Sequence, residues 1–219
     1  MHKPVKRKFQ RRQVLVNEVD DVWSCDLVEM QEWADVNKGF RYMLNVVDCF
    51  SKFAWSVPLK DKKGLTVLDA FKRIVKESGR RPRHLWVDEG KEFYNKDMTA
   101  WIKEHDIVRY STHGEHKSAV VERFNRTLKT NMWRRFTAEN TRNWINMLDK
   151  LMTKYNSSYH KTIRMKPIDA SLKKMNRKYG IMFTMPGLAA PSTKHRKVHK
   201  KVHRKMHRKV HQKVHRKVH

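Results

Sequence analysis

The hydrophobic period of this chain changes at Gly64, and that change limits the fold to a sheet that is built first and then covered by helices. Ahead of it, residues 22–31 (VWSCDLVEMQ) alternate apolar and polar side chains, as a strand exposed on one face does. Asn37, Lys38 and Gly39 supply a turn, and residues 40–50 and 52–59 are rich in β-branched and aromatic types. Three strands in an antiparallel meander are therefore expected. From residue 64 to 78 the spacing becomes helical, with Leu65, Leu68, Phe71 and Val75 on one stripe and Gly79 placed to end the helix.

Shorter segments follow. Residues 84–87 are an apolar run ending at Asp88, the pattern of a buried parallel strand that delivers a carboxylate at its C-terminal edge. A helix over 97–105 and a strand over 107–111 complete a βββαβαβ order. Two amphipathic helices are predicted over 120–136 and 142–155, the second carrying Trp144, Leu148, Leu151 and Tyr155 at helical spacing. Pro167 interrupts the pattern, and no third periodic segment is expected before the C-terminal tail. The organisation expected is a basic arm over 1–18, a core over 19–175, a linker over 176–193 and a low-complexity tail over 194–219.

Charge names a class of partner. Of the net +28, +6 falls in residues 1–12 and +12 in residues 191–219, leaving +10 for the rest. Such an excess favours a polyanion, nucleic acid first, although a solvated surface or a ribosomal-type RNA binder would look similar. The tail repeats a KVHR-type unit with Val or Met at every fourth position from 198 to 218 and seven histidines. Repulsion among its cations opposes a helix in isolation, so disorder that orders on DNA is expected. Cys25 and Cys49, the only cysteines, exclude a disulfide framework and are expected to be reduced and buried. No apolar run is long enough to span a membrane, no secretory signal is recognisable, and a soluble intracellular protein is expected.

Three acids stand where a lone charge is costly. Asp26 lies inside an apolar strand, Asp88 ends another, and Glu122 follows Ala119, Val120 and Val121 at the opening of a helix. Phosphoryl transfer by divalent ions about 4 Å apart needs three or more oxygen ligands converging from different elements, and these acids suit that requirement. Asp48, beside Cys49, reads as structural. Gly90 lets the chain turn sharply after Asp88, and Glu92 is placed to cap the next segment or to orient a ligand. The seven tryptophans fall on apolar faces and read as core rather than as base-stacking platforms.

The rows WSCDLVEM, VVDCFSKFAW, WVDEGKEFYN and VVERFNRTLK resemble the D,D,E blocks of retroviral-type integrase cores. The likeness runs from about Val22 to Leu172. With STHGEHKSAVVERFNRTLK and the YNSSYHKTIRMKP block, it is closest in wording to integrases of Polinton/Maverick-like and related transposon-derived elements. The resemblance implies an α/β, RNase H-like fold: a mixed sheet flanked by helices, here with disordered basic tails. It implies Asp26, Asp88 and Glu122 as catalytic ligands of Mg²⁺ or Mn²⁺, two ions in all. Between Asp88 and Glu122 lie 33 residues where the family has about 35, a difference a shorter loop at 112–119 absorbs. The family's N-terminal zinc-binding module and its C-terminal β-barrel or chromodomain are not recognisable in this sequence.

Glu122, Arg126 and Lys129 share one helical face, which joins a metal ligand to two phosphate clamps, although ordinary solvated cations would show the same spacing. His113 and Lys117, just before that helix, are further candidate DNA contacts. The function implied is DNA integration by a transposon-derived polynucleotidyl transferase, working as a homo-oligomer on DNA ends and target DNA. A catalytically inactive DNA-binding relative and an RNase H-like nuclease are the alternatives. Lys6, Arg7, Lys8 and the C-terminal repeat resemble nuclear-import clusters, so a nuclear location is expected.

Overall fold

A computed structural model of the protein describes residues 16–111 and 119–178. Expectations for the N-terminal arm, for residues 112–118 and for most of the linker and tail therefore lie outside the described residues. Five strands form one sheet: β1 (Val22–Glu29), β2 (Tyr42–Asp48), β3 (Ala54–Leu59), β4 (His84–Trp86) and β5 (Val108–Tyr110). Among the described residues five α-helices accompany them: α1 (Gly64–Ser78), α2 (Lys96–Glu104), α3 (Ala119–Ala138), α4 (Ile145–Ser157) and α5 (Pro167–Lys178).

The strand order is β3-β2-β1-β4-β5. The meander β1-β2-β3 is antiparallel, and β4 and β5 extend it in parallel register. Alternation of side chains then sorts the core onto two faces. Trp23, Cys25, Leu44, Val46 and Val57 pack with Leu68 and Phe71 of α1 and with Met98 and Ile102 of α2. On the other face Val28, Met43, Val47 and Ala54 pack with Phe124, Leu128 and Met132 of α3 and Leu148 of α4. β2 is buried along its whole length because both layers cover it. Full burial of side chains such as Leu44 and Met43 stabilises the fold by about 1.5–3 kcal/mol each.

Several details depart from the sequence expectations. Leu65 is 59% exposed, and the buried stripe of α1 runs through Val67, Leu68, Ala70, Phe71 and Ile74 instead. Gly79 ends α1 as expected, in the left-handed region at φ 64°. The cap of α2 is Asn95, whose side chain accepts from the Met98 amide at 2.9 Å, and not Glu92. Pro167 does not break a helix but opens α5, at the first-turn position where a missing N–H costs nothing. Trp23, Trp86, Trp101 and Trp144 are buried, Trp33 and Trp55 partly so, and Trp133 is exposed against the expectation of core.

Two polar ties hold the layers in place. Immediately after α1, Arg80 reaches under the sheet, its Nη2 at 2.7 Å from Asp20 and 2.5 Å from Asp48. Its guanidinium lies 4.9 Å from the Trp55 ring centroid. Asp48 is thus structural, as expected. In the loop after β1, two short 3-10 turns (Gln31–Trp33 and Asp35–Asn37) lead to Lys38 and Gly39, both at positive φ. The buried Asn37 side chain donates to the carbonyls of Trp33 and Arg142 and accepts from the Ile145 amide, pinning this loop to the α3–α4 connection.

Candidate active site on the α3 face of the sheet

Asp26 shares the β1 face of Ser24 and Val28, the face covered by α3. In the parallel register Ser24 lies opposite Trp86. Asp26 lies two residues beyond Ser24 on β1 and Asp88 two residues past the end of β4, and both are half-buried. The chain around Asp88 is held by β5: the Val87 amide donates to the Tyr110 carbonyl at 3.2 Å, and the Ser111 hydroxyl to Glu89 at 3.1 Å. Glu122 sits in the first turn of α3 and is exposed. Arg126 is also exposed and Lys129 half-buried, one and two turns on along the same helix. His113 and Lys117 lie outside the described residues. Among the described residues, no three carboxylate, His or Cys side chains are gathered closely enough to form a ready cation site. Asp26 thus lies on β1, Asp88 just past β4 and Glu122 in the first turn of α3.

The carboxylate of Asp26 is held through both oxygens. Oδ1 accepts from the Leu27 amide at 2.8 Å and Oδ2 from Nδ2 of Asn125 at 2.5 Å. Asn125 is buried on α3, one turn after Glu122. Its Oδ1 accepts in turn from Nδ2 of Asn45 at 2.7 Å, and Asn45 Oδ1 accepts from the Ser56 hydroxyl at 2.6 Å. The sequence reading missed these three residues. A signal was present: Asn45 interrupts the apolar run of β2, as Asp26 interrupts β1, and Asn125 falls on the apolar side of α3.

A cationic patch adjoins the first turn of α3. Burial lowers the Lys52 pKa despite the attraction of Cys49 and Asp48, and the charge of Arg123 lowers it further. His160 is pushed below its ordinary 6.5 by burial, then by Lys52 and Arg123. Its Nδ1 is buried without a hydrogen-bond partner. These groups repel one another and so favour an anion nearby. Both cysteines are buried, as expected, and burial pushes the Cys49 thiol up to about 12, leaving it unreactive.

An acid on β1, another just past β4, a third on the covering helix and cations beside that helix are the group types that suit hard divalent ions and phosphates. Residues 16–118 match the sequence model of the Integrase core domain family, rve, whose members are polynucleotidyl transferases. Glu122 falls just beyond that matched segment. An uncharacterized transposon-derived protein of Caenorhabditis elegans is 33% identical over 140 residues, 64% of this chain and 49% of the relative. The chain thus spans about half the length of the curated relative it matches.

Solved structures share the fold at 16% identity. The HTLV-2 integrase catalytic core in complex with magnesium superposes with a TM-score of 0.59, covering 70% of this chain and 97% of that one. The catalytic core of BIV integrase gives 0.59 over 73% of this chain and 99% of that one. A simian T-cell lymphotropic virus intasome in complex with a PP2A regulatory subunit gives 0.63, covering 80% of this chain and 59% of that one. With the sheet order and the helical layers described above, these likenesses show that the chain has the RNase H-like fold of retroviral integrase catalytic cores and that its residues 16–118 are similar to the Integrase core domain family.

Proposed function

We propose that the protein is a metal-dependent DNA strand transferase that trims DNA ends and joins them to target DNA. The observation that carries this reading is the Asp26 carboxylate, held through both oxygens, one of them by Asn125 of α3, the helix whose first turn bears Glu122. Asp26, Asp88 and Glu122 would hold Mg²⁺ or Mn²⁺, two ions, and the donor set fits: every group is an anionic oxygen, the ligand such ions prefer. Glu122 is exposed on a long side chain, free of the packed layer, so it can turn toward Asp26 and Asp88 when cations draw it in. Bound there, the ions would supply Lewis acidity to the attacking oxygen and neutralise charge on the leaving one.

The chain's own residues do the rest. Asp26 is held in one orientation before any ligand arrives, so little reorganisation is needed at the moment of reaction. Arg126 and Lys129, with Lys117 and His113 ahead of α3, grip backbone phosphates of the DNA. Such contacts position a duplex without reading its bases, so target choice is weakly sequence-specific. Affinity then falls steeply as salt rises, by about 0.9 in log K per log unit of salt for each phosphate neutralised. The active form is a homo-oligomer bridging two DNA ends, and its place of work is the nucleus.

The test is strand transfer of a short labelled duplex into plasmid DNA with Mn²⁺ or Mg²⁺. Asp26→Asn, Asp88→Asn and Glu122→Gln should each cost on the order of 10²-fold or more, several kcal/mol of transition-state stabilisation, while DNA binding persists. Joining that survives Glu122→Gln removes that residue from the site. Binding with neither joining nor nicking identifies a DNA-binding protein without catalysis.

A further inference from the structure

Ser56, Asn45 and Asp26 form one rung across three strands. Asn45 pairs with Ser56 across β2-β3, and Asp26 pairs with Asn45 across β1-β2. All three point to the α3 face, between apolar rungs that carry Met43 and Val28 on one side and Val47 and Ala54 on the other. Asn45 is fully buried. A polar rung inside an apolar layer costs free energy unless every group is partnered, and a Leu or Val at Asn45 would pack there without that requirement. Holding α3 to the sheet does not explain the rung either, since Phe124, Leu128 and Met132 already bury that helix.

We propose that Asn45 and Ser56 are positioning residues that fix the Asp26 carboxylate for metal, acting through Asn125; the proposal rests on Asp26 being a ligand. The hydrogen bonds run in one direction. The Ser56 hydroxyl donates to Asn45, the Asn45 amide donates to Asn125, and the Asn125 amide donates to Asp26. Each carbonyl oxygen in the chain is already an acceptor, so neither amide can flip without placing oxygen against oxygen. The end of the chain that meets Asp26 is therefore always an N–H. A row of donors pointing the same way strengthens its last member, and that member decides the angle at which Asp26 presents its oxygens. A carboxylate oxygen carries two lone pairs, so accepting from Asn125 is compatible with ligating a cation.

Four variants test this: Ser56→Ala, Ser56→Thr, Asn45→Leu and Asp26→Asn. Mn²⁺ binding to the full chain is measured by calorimetry without DNA. Strand-transfer kcat and KM for DNA, the thermal midpoint, and the side-chain amide resonances of Asn45 and Asn125 in metal-free protein are followed alongside. Ser56→Ala and Asn45→Leu should weaken Mn²⁺ binding about tenfold, which is 1.4 kcal/mol, and lower kcat with KM for DNA unchanged. Ser56→Ala should also move both amide resonances, and Ser56→Thr should restore every value because its hydroxyl can occupy the same place. Unchanged Mn²⁺ affinity in folded Ser56→Ala and Asn45→Leu, with Asp26→Asn abolishing binding, overturns the positioning role and leaves Asp26 as a ligand. A loss that follows the thermal midpoint and is not restored by threonine overturns it as well. Mn²⁺ affinity unaffected by Asp26→Asn instead removes the ligand assignment beneath it.

Discussion

Arg80→Ala should be among the most destabilising single substitutions in this domain. The guanidinium is nearly buried and serves two carboxylates at once: Nε donates to Asp20 at 2.8 Å, and Nη2 lies 2.7 Å from Asp20 and 2.5 Å from Asp48. Asp48 is fully buried and Asp20 almost so. Removing one member of a buried ionic group leaves the others uncompensated, at a cost of about 3–5 kcal/mol. For a domain of this size that is a fall of about 6–20 °C in midpoint. Urea unfolding followed by tryptophan fluorescence suits the site, because Arg80 lies against Trp23 and Trp55.

The pH dependence supplies an internal control. Burial raises the Asp48 pKa, while Arg80 and the Ser51 hydroxyl pull it down. Without Arg80 the folded-state value rises further above its unfolded value. A group so raised contributes stability below its unfolded pKa and loses it as pH rises through the folded pKa. The penalty of Arg80→Ala should therefore shrink from pH 7.5 to pH 5. Adding Asp48→Asn to Arg80→Ala should recover about 1 kcal/mol or more at pH 7.5, since the uncompensated charge is gone. A penalty under about 1 kcal/mol, or one that neither pH nor Asp48→Asn alters, refutes the account of Arg80 as the partner of buried charge.

Other substitutions probe separate features. Asn37→Ala removes three hydrogen bonds, one within the loop after β1 and two from it to the start of α4 and the turn before it, and should cost about 2–4 kcal/mol in chemical denaturation. Trp144 is fully buried with its indole N–H unpartnered; Trp144→Phe should stay within about 1 kcal/mol of the parent while Trp144→Ala loses about 3–5. His160 has a folded pKa below 6.5, so the stability it supports is complete above that value and is lost as pH falls below it. His160→Gln should flatten the thermal midpoint between pH 7 and pH 5, and an unchanged slope would discount the burial of that ring.

The order of strands and the first helix were legible because period two and period 3.6 leave different marks on which residues are apolar. The face of α1 was less so: Leu65 looks like core by type, yet only docking on the sheet decides which side of a helix is covered, and Val67 took its place. Pro167 was read as an interruption because proline ends helices more visibly than it starts them. Asp26 and Asp88 stood out as acids in apolar runs. Asn45, Asn125 and Ser56 did not, since an uncharged amide in a core excites no alarm until its partners, up to 80 residues away in sequence for Asn45 and Asn125, are known.

The rung beneath α3 also dictates when the site comes into being during synthesis. Its hydrogen bonds join residue 125 to residues 26 and 45, spans of 99 and 80 positions that no local segment can close early. A nascent chain that has emerged only through β5 possesses the sheet with Asp26 and Asp88, but the face of that sheet meant for α3 is still bare and apolar. Until α3 emerges and docks, such an intermediate is a client for chaperones, and its Asp26 carboxylate lacks the Asn125 hydrogen bond that orients it.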